Sequence, residues 1–309
     1  MYFQHVFRFS DVDIKQPPCK VSLGQYDVVF DLSTRENKNL CVCTATEQRD
    51  VTPELAHALE QGLVGDDVEP LSSIAKNASS NIDRLTRLIR WKGQMRGRAK
   101  PVMLTEGMSW SADGTSWKKI KSEISLAIRF GLPSGIWQCG HANWAATEAP
   151  STLTEPLAHE ILREVRDDPE RSPRSSVMVA VSAAECAMQQ LVESKFGEDG
   201  IRGNPSLSTL LHGYVPKLDG VLRVEGKPID FPRYVIERIE RSKDLRDKLV
   251  HRRAPSPSAD EVRGVIEAVN DFLYMLDVYA GHYWAMGHLS HETQKAIRVA
   301  ASLPPFQKG

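Results

Sequence analysis

The sequence lacks any apolar run near the ~20 residues that a bilayer span needs, so no membrane association is expected. It lacks a charge excess. Thirty-nine basic and 40 acidic side chains leave a net charge of −1, which argues against wholesale binding of polyanions. Cysteine is scarce and scattered. The five are Cys19, Cys41, Cys43, Cys139 and Cys186, an odd set with no disulfide framework and no zinc-knuckle spacing. Cys41 and Cys43, two apart, would share one face of a strand and pack there. The opening residues, Met1-Tyr2-Phe3-Gln4-His5, carry no basic stretch followed by an apolar one, so no secretory signal is expected. Neither a Gly-x4-Gly-Lys phosphate loop nor a Gly-x-Ser-x-Gly elbow occurs, which removes two common routes to nucleotide and ester hydrolysis. His282, His288 and His291 are spaced too loosely for a metal site. The expectation is a cytoplasmic protein with free thiols, no metal and no cofactor.

What is present is an ordinary globular composition, 41% hydrophobic and 26% charged over 309 residues, enough for two domains. Residues 1–150 read as mixed α and β. Residues 26–32 and 40–45 are β-branched or aromatic runs separated by Arg35, Glu36, Asn37, Lys38 and Asn39, a turn-forming stretch. Thr52-Pro53-Glu54 predicts a helix start, and a longer helix is predicted over 71–91. Asp113-Gly114, between Trp110 and Trp117, predicts a tight hairpin. Pro150, Pro156, Pro169 and Pro173 mark a seam holding one short helix, over 155–165.

Beyond residue 175 strand patterning nearly vanishes. Val177, Val181, Ala184, Met188 and Leu191 line one helix face, and Gly197 ends it. Asn204-Pro205 predicts the start of a second helix, Asp230 and Pro232 that of a third running to about His251, with Pro255 and Pro257 beyond it. Ser258 and Glu261 form a capping-box signature before a helix carrying Val262, Val265, Ile266, Val269, Phe272, Leu276 and Tyr279. A last helix is predicted from Trp284 to about Ala301. The fold class is therefore α+β, a mixed domain over 1–150 followed by an all-α bundle over 151–309.

The third of these helices holds the best site candidate. At about 100° per residue from Val235, Ile239 falls at about 40°, Leu249 at about −40° and Arg246 at about 20°. An arginine centred on an apolar arc must meet an anion, because a buried unpaired charge is costly. His251 lies about 140° further round. The two converge only if the helix ends or bends near His251 or if a second copy of the chain supplies the partner. Glu185, at the edge of the first helix's apolar face, could orient Arg246; ordinary exposure at a helix boundary is the plain reading of the same position. A structural reading of the same residues is a buried Arg246–Glu185 pair with His251 favoured by the helix dipole.

Residues 245–251 (LRDKLVH), late in a helix and followed by a Pro/Ser loop and an amphipathic helix, resemble the HEPN superfamily signature of Arg, a polar residue, a spacer and His. The resemblance covers residues 155–285. Asp247 stands where asparagine is commoner. The resemblance implies a helical HEPN fold and a metal-independent endoribonuclease working as a homodimer, a toxin or antiviral defence effector. It assigns phosphate binding to Arg246, and proton transfer or leaving-group stabilisation to His251. The alternative is a non-catalytic dimerisation, RNA-binding or adaptor protein. The mixed domain over 1–150 would then sense a trigger or bind a regulatory partner.

Two basic stretches fit an RNA partner. Arg252 and Arg253 follow His251. Arg84, Arg87 and Arg90 form an i, i+3, i+6 stripe leading into Trp91, Lys92, Arg96, Arg98 and Lys100, with no acid among residues 84–100; Lys118, Lys119 and Lys121 could extend it. A solvated helix face is the plain reading of that stripe, and base stacking on Trp91 the functional one.

Overall fold

The computed structural model describes residues 1–10, 12–14, 19–23, 28–34, 40–92, 103–121, 137–139, 154–166, 168–197, 203, 205–224, 226–251 and 255–300. The fold is α+β. The chain divides into two compact units, Met1–Glu155 and Pro156–Gly309, so the boundary falls slightly beyond residue 150.

In the first unit β1 (Tyr2–Ser10), β3 (Cys19–Leu23), β4 (Val28–Thr34), β5 (Leu40–Gln48), β6 (Met103–Ser111) and β7 (Lys118–Lys119) form one antiparallel sheet in the order β3-β4-β5-β1-β6-β7. A second, parallel pair joins β2 (Val12–Ile14) to β8 (Trp137–Cys139). The expected pairing of the two early runs is β4 on β5, with Val29 opposite Thr46 and Thr34 opposite Cys41. The β1–β6 register shifts between His5 and Phe7, where Gly107 takes a φ of 89°. A bulge there needs a residue without a Cβ penalty.

Helix α1 (Pro53–Glu60) starts as its sequence predicts: Thr52 Oγ1 accepts from the Leu55 amide at 3.3 Å and Pro53 opens the first turn. With α2 (Leu71–Lys92) it supplies Leu59, Leu71 and Ile74 to a core shared with Phe3, Met108, Trp110 and Ile120. Met108 and Trp110 are alternate positions of β6, and Leu71 and Ile74 lie on one stripe of α2, the two periodicities that bury a sheet face under helices. The Asp113-Gly114 turn is wider than the expected tight hairpin. Asp113 Oδ1 accepts from the amides of Thr115 (2.8 Å) and Ser116 (2.9 Å) and from Ser111 Oγ (2.8 Å). The carboxylate thereby organises residues 112–117 as a loop, and those donors hold its pKa well below the usual carboxylate range.

The second unit contains α3 (Leu157–Arg166), α4 (Pro173–Phe196), α5 (Leu207–Leu218), α6 (Arg233–Val250), α7 (Ala259–Tyr279) and α8 (His291–Ala300). Helix α4 packs against α3, α5, α6 and α7. Its buried Val177, Val181, Ala184, Met188 and Leu191 are the face read from the sequence. Helix α7 is buried on every side from Ala268 to Tyr279 except at the half-buried Asn270, which makes it the central helix. The capping box at its start is present in full.

Three expectations are corrected. Helix α5 is capped by Ser206, whose Oγ accepts from the Thr209 amide, later than Asn204-Pro205; Asn204 lies outside the described residues. The last helix is broken into a 3-10 helix, Tyr283–His288, and α8. Ser290 fixes the break: its Oγ accepts from the Thr293 amide at 3.3 Å, and its own amide donates to Asp271 at 2.8 Å. The unit is also not purely helical. β9 (Leu222–Val224) and β10 (Lys227–Ile229) form a hairpin turned at Gly226, with φ 78°; strands this short give no alternation to read. No helix among the described residues is long and apolar enough to cross a membrane.

Candidate functional site

Helix α6 begins after Pro232, which fixes the entering backbone, and runs without interruption to Val250. It buries Val235, Ile239, Ser242 and Leu249. On the same wheel these span about −40° to about 40°, so Arg246 at about 20° does lie on the buried arc. Val250, at about 60°, is instead half exposed, because the last turn of α6 reaches the edge of the bundle. The Arg246 side chain is therefore sheltered but reachable, 22% exposed.

His251 occupies the C-cap with φ −85° and ψ 12°. Its amide donates to the Asp247 carbonyl at 3.1 Å, so the helix stops here without bending. The helix therefore ends at His251, one of the conditions for convergence, and does so without a bend; on an ideal wheel the two side chains leave it about 140° apart. The imidazole is exposed.

Asp247 lies between them. Its Oδ1 is 2.9 Å from Arg246 Nε, and its Oδ2 is 3.0 Å from Lys243 Nζ, one turn earlier. Lys243 also contacts Asp244 at 3.3 Å. The hydrogen bond to Asp247, foremost, raises the Lys243 pKa, so its ammonium is firmly charged. Arg246 Nε makes no well-aligned hydrogen bond; the contact with Asp247 is an ion pair.

Glu185 does not orient Arg246. Its Oε1 accepts from the Leu207 amide at 2.7 Å, placing the carboxylate at the N-terminus of α5, where free amides and the helix dipole favour an anion. The structural reading of an Arg246–Glu185 pair fails for the same reason. Arg252 and Arg253 lie outside the described residues.

The arginine stripe of α2 does not form one outer face. Arg87 is exposed and Arg84 half-buried, with burial drawing the Arg84 pKa down. Arg90 and Trp91 are each 1% exposed. The expected roles of Arg90 on RNA and of Trp91 under a base are therefore withdrawn: both are core side chains. Lys118, Lys119 and Lys121 are exposed, and Lys118 Nζ stands 5.1 Å over the Trp110 ring. Arg96, Arg98 and Lys100 lie outside the described residues.

Two buried acids on α7 were not anticipated from the sequence. Asp271 is 4% exposed. One of its oxygens accepts from the Ser290 amide, the other from Arg238 Nη1 (2.8 Å), Ser290 Oγ (2.6 Å) and Thr293 Oγ1 (2.9 Å). Asp277 Oδ2 is 2.8 Å from His159 Nε2, both buried. His159 in turn lies against Tyr274, ring centroids 4.7 Å apart, and burial foremost keeps that phenol protonated. A lone acid inside an apolar run, as in residues 272–279 (FLYMLDVY), signals such a partner. These pairs pin α6 and α3 to α7. Among the described residues no three His, Cys, Asp or Glu side chains gather to hold a metal ion.

No protein-family model, curated protein or solved structure matches the chain.

Proposed function

We propose that the chain is a HEPN-type, metal-independent endoribonuclease that acts as a homodimer in the cytoplasm, a toxin or antiviral defence effector whose first unit senses a trigger or regulatory partner. One observation carries the reading: a sheltered but reachable Arg246 near the end of α6, its terminal nitrogens uncommitted among the described residues, with an exposed His251 five residues on at the helix C-cap. RNA places a 2′-hydroxyl beside each phosphate. The 2′-oxygen attacks phosphorus as its proton departs, the bond to the 5′-oxygen breaks, and that oxygen takes a proton. Negative charge grows on the two non-bridging oxygens, and a guanidinium fork stabilises it. An imidazole supplies or removes the proton near neutral pH. The divergence of the two side chains on one helix favours a cleft lined by both copies, each offering its own Arg246 and His251. The thiol of Cys186, outside any disulfide, suits a reducing compartment.

The adaptor reading draws on the ion pair to Asp247, which already offsets the Arg246 charge. Cutting of RNA in EDTA by the purified chain separates the two. Wild type is expected to cut, and Arg246→Ala and His251→Ala to lose activity; equal cutting by all three contradicts the assignment.

A further inference from the structure

Lys243, Asp247 and His251 stand four residues apart in sequence, so they form one row along the outer flank of α6. Counted at about 100° per residue from Val235, they lie at about 80°, about 120° and about 160°, while Arg246 lies at about 20°. Sequence neighbours on a helix do not face each other. The 2.9 Å approach of Arg246 Nε to Asp247 Oδ1 therefore requires the arginine to lean off the buried arc and towards the row that ends in His251. The contact engages Nε alone, which leaves both terminal NH2 groups to form a fork. Asp247 is 42% exposed, and an exposed carboxylate held by nothing else rotates freely. Lys243, 20% exposed and charged, clasps its other oxygen.

We propose that Lys243 is a positioning residue: by fixing Asp247 it holds the Arg246 guanidinium turned towards the His251 flank. The proposal rests on the endoribonuclease reading. Lys243 touches no substrate. Its effect is on where the fork waits, and misplacement of a charge-stabilising group weakens the transition state more than the ground state.

The test is steady-state RNA cleavage by the full-length dimer in EDTA, for wild type, Lys243→Met, Lys243→Arg and Arg246→Ala. Lys243→Met is expected to lower kcat about three- to tenfold, as a modest loss of positioning does, with KM for RNA within about twofold. Lys243→Arg, which can still clasp Asp247, is expected to restore most of kcat. An unchanged kcat in Lys243→Met overturns the proposal. So does a raised KM at constant kcat, which marks a direct phosphate contact, or a failure of arginine to rescue. If Arg246→Ala is dead while Lys243→Met cuts normally, only the positioning role falls. If Arg246→Ala cuts like wild type, the reading of the whole site falls and takes this role with it.

Discussion

The Glu185 carboxylate accepts the Leu207 amide at 2.7 Å and so belongs to the start of α5, not to Arg246. Its removal should therefore act on stability and not on chemistry. Glu185→Ala is expected to lower the unfolding free energy by about 1–2 kcal/mol, as loss of a helix-end acceptor does. RNA cleavage at room temperature should stay within about twofold of wild type. Urea unfolding and a cleavage assay on the same preparation check both. Lost cleavage with unchanged stability would return Glu185 to the site.

Asp271 gathers Arg238, Ser290 and Thr293 onto one buried carboxylate. Asp271→Ala strands a guanidinium and two hydroxyls, and breaking such a pair from one side costs about 3–5 kcal/mol. Against a typical total of about 5–15 kcal/mol, the variant should unfold at far lower urea than wild type. Ser290→Ala keeps the Arg238–Asp271 pair and should cost only about 1 kcal/mol.

His5 predicts an acid limb in the stability of the first unit. It faces the layer between sheet and helices, stacked on Phe7 at 4.5 Å and beside Glu47, which is paired with Arg49. Burial lowers its pKa from 6.5 to about 4. Between those values the unfolded chain takes up a proton that the folded chain refuses, so stability falls as pH drops through that window. The loss from this group amounts to roughly 3 kcal/mol by pH 4. His5→Phe removes it: the difference between variant and wild type, followed by tryptophan fluorescence against urea, should widen from pH 7 to pH 4. A difference independent of pH would contradict the burial of a neutral imidazole here.

The helical unit was largely legible because its signals are local. Ser258 and Glu261, Pro232 before α6, and the i, i+4 face of α4 each act within a turn or two of chain. Asp113-Gly114 misled because a side chain accepting backbone amides widened the turn. Arg90 and Trp91 misled because a run of cations looks solvated in sequence, whereas α2 turns these two inward. At the site, the wheel placed Arg246 on the buried arc but was blind to Lys243. Lys243 reaches Arg246 only through Asp247, a link two side chains long that spacing does not reveal. The Glu185 assignment failed for a related reason: a boundary acid has several amides within reach, and sequence spacing does not choose between them.

The α2 arginines predict a split. Arg87→Gln, at an exposed position, should leave stability within about 0.5 kcal/mol. If this patch carries RNA, it should flatten the log Kd against log salt slope by just under one unit, as loss of one phosphate contact does. Arg90→Gln, in the core, should destabilise the first unit. Fluorescence anisotropy with labelled RNA across a salt series and urea unfolding read the two effects separately.

Assistance by Arg246 and His251 to attack by an RNA 2′-hydroxyl would leave its mark on the ends of the cut strand. A labelled RNA is incubated with the wild-type protein in EDTA, beside the same strand carrying a single 2′-deoxy sugar at the principal cut. Expected are a 2′,3′-cyclic phosphate and a free 5′-hydroxyl from the first, protection of that position in the second, and no cut by Arg246→Ala or His251→Ala. Cleavage that proceeds through the deoxy position, or that survives both substitutions, would contradict this role of the pair.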